Sequence, residues 1–332
     1  MNTNKPYNVA FLIFPGFPMA CLTSMIEPLR AANEIAGDAR FTWQLISEAG
    51  AKVVSSAHVS FEPNCALDDA SDIDALFLLS SPNATFENVK HGQARLRMLA
   101  RHGCVLGAIS GGVFPLARAG LMKGHRCSVH WCYETAFRAE FPQIEAADQV
   151  IITDAQRCTA SGAAAAFDLA LHMIDQHFGP GIAHEVACWF QHSAMRGEEV
   201  RQRVPLLQGS GETLPGLVGK AAVMFAARID DPITIAEIAE ELQVTPRQIE
   251  RAFKKATAQS PSHYYRALRM KAARQLVLYS KDSFAQIAAA VGYASPTPLS
   301  QYYKSAFGVT PREDRARMND FRVNENVPLP SV

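Results

Sequence analysis

Two stretches of this chain, about fifty residues apart, follow one plan: a short apolar-faced helix, a tight turn, then a hydroxyl residue directly before a proline that opens a second helix. In the first, Ile235, Ile238, Ala239 and Leu242 share one face of Thr234–Leu242, and Gln243-Val244 make the turn. Thr245 is a natural N-cap, and Pro246 takes the first helical position, where a missing N–H costs nothing. The helix predicted over 246–256 buries Ile249 and Phe253 and leaves Arg247, Gln248, Arg251, Lys254 and Lys255 to solvent. In the second stretch, Phe284–Val291 is the short helix, Gly292-Tyr293 the turn, Ser295 the cap and Pro296 the first helical residue. Pro298 still falls in the first turn, whose donors are unpaired anyway. Leu299, Tyr303 and Phe307 form the buried stripe of a helix over 296–306, while Ser295, Thr297, Ser300, Gln301 and Lys304 face outward. A long helix over Ser262–Leu278, carrying Arg266, Arg269, Lys271 and Arg274, joins the two. Two helices, a tight turn and a basic outer face make a helix-turn-helix. Two copies with matching caps favour that reading over a generic helical bundle with a solvated basic face.

Charge follows the same division. Net charge is zero, yet residues 220–317 hold 15 Lys/Arg against 9 Asp/Glu, whereas residues 1–219 hold 16 against 21. A neutral chain with a basic C-terminal third fits a nucleic-acid-binding module attached to something else. A length of 332 residues suggests about two domains, and 48% hydrophobic content with 19% charged suits cores that bury themselves in water. The longest apolar candidate, Val9 to Leu22, is broken by Pro15, Gly16 and Pro18 and falls short of the roughly 18–20 residues of a membrane helix. The start of the chain, Met1 to Tyr7, lacks a signal-peptide pattern, so a cytoplasmic protein without membrane partners is expected. Seven cysteines, an odd number with no Cys-x-x-Cys pair, argue for reduced thiols rather than a disulfide framework or zinc ribbon. No motif calls for a metal or cofactor.

Before residue 217 the character is α/β. Strands are expected at Val9–Phe14, Phe41–Ser47, Ala75–Leu79, Val105–Ile109, Val150–Thr153 and Cys158–Thr159, and helices at Ser24–Ala36, Gln93–His102, Ala163–His177 and Ile182–Phe190. Strands that are apolar throughout are covered on both faces, and their alternation with helices predicts a parallel sheet in a flavodoxin-like layer. The Pro/Gly/Ser-rich stretch 203–216 is the expected linker. The predicted organisation is therefore a ligand-sensing domain over 1–202, the linker, an all-α DNA-binding domain over 217–317, and a disordered tail over 318–332.

Specific motifs sharpen this. Ala288-Ala289-Ala290-Val291-Gly292-Tyr293-Ala294-Ser295, followed by Phe307-Gly308-Val309-Thr310-Pro311-Arg312, resembles the signature of AraC/XylS regulators over about 230–317. The resemblance implies that helices 246–256 and 296–306 enter successive major grooves of promoter DNA, and that the protein is a homodimeric activator communicating with RNA polymerase. Further upstream, Gly107-Ala108-Ile109-Ser110-Gly111-Gly112-Val113-Phe114 reads as strand, sharp turn, helix, like a nucleophile elbow. With Ala117-x-Ala119-Gly120-Leu121 and Ser128-Val129-His130-Trp131, it resembles PfpI-type, class I glutamine-amidotransferase-like domains over roughly 7–195, and most of all the GlxA-type branch, which fuses such a domain to an AraC module.

Catalytic members of that family carry a Cys at the elbow, supported by an acidic residue near the first helix. Here the elbow residue is Ser110, and the acidic position holds Ser24, with Glu27 nearby. A serine needs a base and an oriented acid to become a nucleophile. His130 is the one nearby candidate base, and it has no evident acidic partner. Two functional classes follow: a ligand-responsive transcription factor, and an amidotransferase- or hydrolase-like enzyme with an accessory DNA-binding domain. The departures at 110 and 24 favour the first, with no catalytic residues. Ser110, Gly111, Gly112, His130, Trp131, Ser80, Ser81 and Phe17 are the expected ligand-binding residues. Ligands of open α/β sheets bind at the C-terminal ends of strands. The N–H groups of Gly111 and Gly112 are expected to hold a carboxylate, with Trp131 or Phe17 against a cationic end. Relatives with Ser-Gly-Gly at the elbow resemble regulators of carnitine, glycine betaine or arginine catabolism, which implies a small amine or amino-acid-derived effector.

Overall fold

The computed structural model describes residues 5–193, 195–202, 208–209, 212–214, 216–280 and 282–324, with the side chains of 208–213 and 318–324 left aside. The chain divides into two compact units, Met1–Gln202 and Arg203–Val332.

The first unit runs β1 (Tyr7–Ile13), α1 (Met19–Ala36), β2 (Phe41–Ser47), β3 (Val53–Val54), β4 (Ser60–Phe61), β5 (Cys65–Ala66), β6 (Ala75–Ser80), α2 (Val89–Arg101), β7 (Val105–Ser110), α3 (Val113–Arg118), β8 (Cys127–Ser128), α4 (Glu134–Glu140), β9 (Ala146–Ala147), β10 (Ile151–Asp154), β11 (Arg157–Ala160), α5 (Ala163–Phe178) and α6 (Pro180–Trp189). Seven strands form one sheet in the order β10-β11-β7-β6-β1-β2-β5, parallel except where β10 meets β11. The central strands β1, β6 and β7 are apolar along most of their length because both faces are covered. Val9, Phe11 and Ile13 pack with α1, α5 and α6 in one continuous core. The antiparallel β10–β11 edge ends the crossovers, because its two strands are joined by a turn instead of a helix.

Among the described residues, the second unit contains a minimal hairpin, β12 (Gln208–Gly209) with β13 (Glu212–Thr213), and seven helices: α7 (Gly216–Ala227), α8 (Ile235–Glu241), α9 (Pro246–Thr257), α10 (Pro261–Tyr279), α11 (Phe284–Ala290), α12 (Pro296–Phe307) and α13 (Pro311–Asn324). The hairpin lies inside the stretch expected to be linker, of which 203–207, 210–211 and 215 fall outside the described residues. Helix α7 starts at Gly216. Its Val218, Ala221 and Phe225 form a core with Ile238, Ile249, Phe253 and Tyr265.

The stretch expected to be a tail from 318 includes the last residues of α13, which runs to Asn324; 325–332 lie outside the described residues. The helix is capped at its start. Thr310 accepts from Glu313 N at 3.2 Å, Glu313 reaches back to Thr310 N at 2.7 Å, and Glu313 and Asp314 place negative charge in the first turn. Among the described residues, no helix is long and apolar enough to cross a membrane.

Candidate functional site

The first helix-turn-helix is α8 and α9. Both starts are locked by capping boxes, Thr234 with Glu237 and Thr245 with Gln248. Ile249 and Phe253 are fully buried beneath α9, which turns Arg247, Arg251, Lys254 and Lys255 outward. Gln248 is exposed too, but its Oε1 accepts from Thr245 N at 2.7 Å. The sequence reading gave Gln248 to DNA. The structure commits its carbonyl oxygen to the cap and leaves only its amide N–H groups to reach outward. Lys254 directs its ammonium to the Ala258 carbonyl at 3.3 Å, closing the C-terminus of the same helix.

The second unit is α11 and α12. Leu299 and Tyr303 are fully buried, Ser295, Thr297, Gln301 and Lys304 are exposed, and Ser300 is half-buried. Ser295 occupies the N-cap position of α12, as expected, yet its hydroxyl accepts no capping bond, a correction to its assigned role. Not every arginine of α10 faces solvent. Arg269 and Arg274 are spent inside the unit on the Val291 and Gly292 carbonyls and on Asp314. Sequence reading could not find those partners, which lie twenty or more residues away.

In the first unit, sheet order places the ends of β11, β7 and β6 side by side. Ser80 pairs with Ser110 in register, and Ala160 with Ile109. Ser110 sits at φ +55, the strained geometry of an elbow. Gly111 and Gly112 follow because nothing larger fits. A Cβ on Gly111 would lie 2.3 Å from the Ser80 carbonyl oxygen, and one on Gly112 1.9 Å from that of Leu78. His130 reaches the same edge from the loop after β8, its ring beside Gly162 just past β11, where an added Cβ would stand 3.3 Å from His130 Cδ2. Ser80 is almost completely buried, and among the described residues its hydroxyl has no hydrogen-bond partner. Ser81 is half-buried, as is Trp131, whose ring lies 5.4 Å from that of His130.

Two of the expected ligand contacts are redirected. The Gly112 N–H donates to the Ile109 carbonyl at 3.0 Å, so it is not free to hold a carboxylate. Phe17 is fully buried, and its ring packs edge-on against Phe61 at 5.2 Å. It belongs to the core, because the turn at Gly16 tucks the following residue under the sheet instead of presenting it.

The sequence's candidate base, His130, is engaged by its own loop on the Nδ1 side. His130 Nδ1 lies 2.9 Å from Cys132 Sγ and receives the Cys132 backbone N–H at 3.3 Å. A ring nitrogen that accepts a backbone N–H carries no proton, so a neutral His130 holds its proton on Nε2. Burial pushes its pKa down to about 4, and burial pushes the Cys132 thiol up to about 12. Both are neutral at pH 7, and Nε2 is a donor there, not a base. Glu27, the acidic residue near the first helix, pairs instead with Arg30 at 2.9 Å on the surface.

The His130 environment gives a pH signature. The unfolded chain binds the imidazole proton below about 6.5, and the folded one only below about 4. Between those values the unfolded state holds more protons, so stability falls as pH drops from 6.5 toward 4 and is unaffected above 6.5. Unfolding followed by tryptophan fluorescence should show this slope in the native chain and a flatter one in His130→Gln. Equal slopes would mean that His130 titrates normally.

The segment after α6 is fastened to this region. Gln202 accepts the Trp131 N–H at 2.9 Å and donates to the Val129 carbonyl at 2.8 Å, and Gln202 N donates to the Asp148 carbonyl at 2.7 Å. Further back, the fully buried Asp168 accepts from His192 Nε2 at 2.8 Å and Arg196 Nε at 2.7 Å. Neither set was foreseen, because the partners are far apart in sequence and no motif marks them.

Comparison with known proteins agrees with this division. A helix-turn-helix domain model matches residues 238–317, and a DJ-1/PfpI family model matches 8–176. The chain is 33% identical over 311 residues to the HTH-type transcriptional regulator GbdR of Pseudomonas aeruginosa, covering 94% of this chain and 84% of that one. It is 34% identical over 314 residues to the regulator ArgR of the same organism, covering 94% of each. The crystal structure of an AraC family transcriptional regulator from Pseudomonas putida superposes with a TM-score of 0.51 at 24% identity, covering 56% of this chain and all of that one, a likeness of fold. With an α/β unit of DJ-1/PfpI type followed by two helix-turn-helix units, this chain belongs to the AraC-type DNA-binding transcriptional regulators that carry a DJ-1/PfpI-like N-terminal domain.

Proposed function

We propose that the protein activates transcription from promoter DNA when its N-terminal unit, 1–202, binds a small amine or amino-acid-derived metabolite at the β6–β7 edge, and that it has no enzymatic activity. The observation that carries this is the Ser80 hydroxyl: buried, unpartnered, and in register with the elbow residue Ser110, itself buried, at the C-terminal end of parallel strands. A buried polar group without a partner is costly, and a ligand would satisfy it. The polar end of the effector rests on the hydroxyls of Ser80 and Ser110 and on the Nε2–H of His130, with the half-buried Trp131 ring available to a cationic end. Sequence-specific binding is assigned to Arg247 and Arg251 on α9 and to Thr297 and Gln301 on α12. Lys254, Lys255, Ser295, Ser300 and Lys304 contribute phosphate contacts. A cytoplasmic homodimer that contacts RNA polymerase completes the reading.

One experiment tests both halves. Operator affinity and effector affinity are measured on the full chain, with L-carnitine, glycine betaine and L-arginine as calorimetric probes. Arg251→Ala should weaken operator binding by about 1–3 kcal/mol, the worth of a bidentate base contact. Trp131→Ala should leave operator binding intact, weaken the probe that binds by about 0.5–2 kcal/mol, and abolish its effect on transcription. Unchanged operator affinity in Arg251→Ala removes α9 from the groove. A bound probe indifferent to Trp131→Ala removes the aromatic contact, and steady turnover of any probe restores the enzymatic alternative.

A further inference from the structure

The two recognition helices belong to separate helix-turn-helix units, and α10 packs against both, touching α7 and α9 on one side and α11, α12 and α13 on the other. Two residues one turn apart on α10 carry polar ties to each. The Tyr265 hydroxyl donates to the Arg228 carbonyl and accepts the Ile233 N–H at 3.4 Å. Its ring stacks on Phe225 with centroids 4.3 Å apart. Tyr265 thereby holds the loop that feeds α8. Arg269 donates from Nε to the Val291 carbonyl at 2.8 Å and from Nη2 to the Gly292 carbonyl at 2.7 Å, which are the closing carbonyls of α11 and its turn. Its guanidinium lies 4.0 Å over the Tyr293 ring and 6.0 Å over that of Tyr265, so the two ties touch.

The loops they hold also meet. Gly292 has φ +72, and a Cβ built on it would stand 2.3 Å from Pro232 Cγ and 3.0 Å from the Ile229 carbonyl oxygen. The turn of the second helix-turn-helix therefore lies flat on the entry loop of the first. Glycine is required there twice, by the positive φ and by the close approach.

We infer that Tyr265 and Arg269, with Pro232 seated against Gly292, are positioning residues that fix the distance and phase between α9 and α12, and so make half-site spacing a specificity determinant of the operator. The inference rests on the reading that both helices enter the groove. Neither residue touches DNA in this role; each acts through the loops it holds. The chemistry suits the task. Arg269 makes two charge-assisted bonds to carbonyls that a helix C-terminus leaves unpaired, in a planar fork that admits one orientation. A rigid pair of helices meets DNA whose helical turn spans about 34–36 Å over about 10–10.5 base pairs. One inserted base pair displaces the second half-site by roughly 3.4 Å and about 35°, and either the DNA deforms at a cost or one helix loses its contacts.

The test uses the full chain and a randomised duplex pool. Sites selected by the wild type are aligned to find two half-sites and their spacing, and affinities are measured on that site and on versions with one base pair inserted or deleted between the halves. The wild type should select one spacing and lose roughly 10-fold on either change. Arg269→Met should bind the selected site less tightly but lose most of the spacing penalty, and Arg269→Lys should regain part of it. Tyr265→Phe and Pro232→Ala each remove one tie without removing a charge, and should reduce the penalty in the same direction. These two carry the test should Arg269→Met lose its helical circular dichroism. A penalty unchanged in all variants overturns the inference while leaving two-helix recognition standing. A wild type that selects a single half-site, or a Gln301→Ala variant that binds as tightly as the wild type, removes α12 from the groove and overturns both.

Discussion

Replacing Asp314 by alanine is expected to cost the C-terminal unit about 3–5 kcal/mol, the penalty of stranding one partner of a buried ion pair. Asp314 is fully buried in the first turn of α13. Its Oδ2 accepts from Arg274 Nε at 2.9 Å and from the Tyr303 hydroxyl at 2.7 Å. Arg274 has only 12% of its side chain exposed, and its guanidinium lies 4.6 Å over the Phe307 ring. Without the carboxylate, a cation stays in an apolar layer between α10, α12 and α13 with no counter-charge, and a buried phenol loses its acceptor. Burial, and after it the bond to Asp314, already hold the Tyr303 hydroxyl protonated well above the usual tyrosine range. Asp314→Asn keeps an acceptor but not the charge and should fall between wild type and alanine. The measurement is made easy by the sequence: all three tryptophans, Trp43, Trp131 and Trp189, lie in the first unit. Denaturation followed at 222 nm should show helical signal lost at lower urea in Asp314→Ala, with the tryptophan transition unmoved. A variant whose helical transition coincides with the wild type would show that the ion pair is dispensable.

That network was not legible beforehand, and the reason is instructive beside what was. The starts of α9 and α12 were fixed to the residue, because a proline at the first helical position after a hydroxyl residue is a local signal that tertiary context seldom overrides. The parallel sheet was legible from apolar runs, since only strands covered on both faces can be apolar throughout. The strands of two residues, such as β3, β4 and β8, carry no periodicity to read. The start of α13 had a signal that went unused: Thr310 with Glu313 is a capping box, like the ones before α8 and α9. At the elbow, sequence placed Ser110 and its two glycines correctly. It could not say that Gly112 spends its N–H on Ile109, that Gln248 turns its side chain back on Thr245, or that Phe17 faces Phe61. Each depends on where a group points, and a motif gives position along the chain without direction. Arg269 and Arg274 show the same limit, since a basic residue on a connecting helix reads as solvent charge until its carbonyl or carboxylate partner is located in space.

Gly112→Ala is expected to destabilise the first unit by about 3 kcal/mol or more, at or beyond the upper end of ordinary overpacking. The cause is steric alone. Gly112 has φ −58 and ψ −19, a helical conformation that alanine adopts freely, so no conformational strain enters. The added methyl would stand 1.9 Å from the Leu78 carbonyl oxygen, 2.6 Å from its carbon and 3.1 Å from the Ile109 carbonyl oxygen. These atoms are backbone of β6 and β7, paired in the centre of the sheet, and cannot rotate aside as a side chain would. Relief requires parting the strands at Ser80 and Ser110, the two hydroxyls on which the effector is proposed to rest. Loss of stability and loss of effector binding should therefore arrive together. Gly181→Ala is the control: it lies near the start of α6 with nothing within 4 Å of its added Cβ, so it should be neutral or stabilising by up to about 1 kcal/mol. Tryptophan fluorescence in urea reads both, because the first unit holds every tryptophan. A Gly112→Ala midpoint equal to that of Gly181→Ala would mean that the elbow is far looser against β6 than these distances allow, and that the seat of the effector is not built by close contact between the two strands.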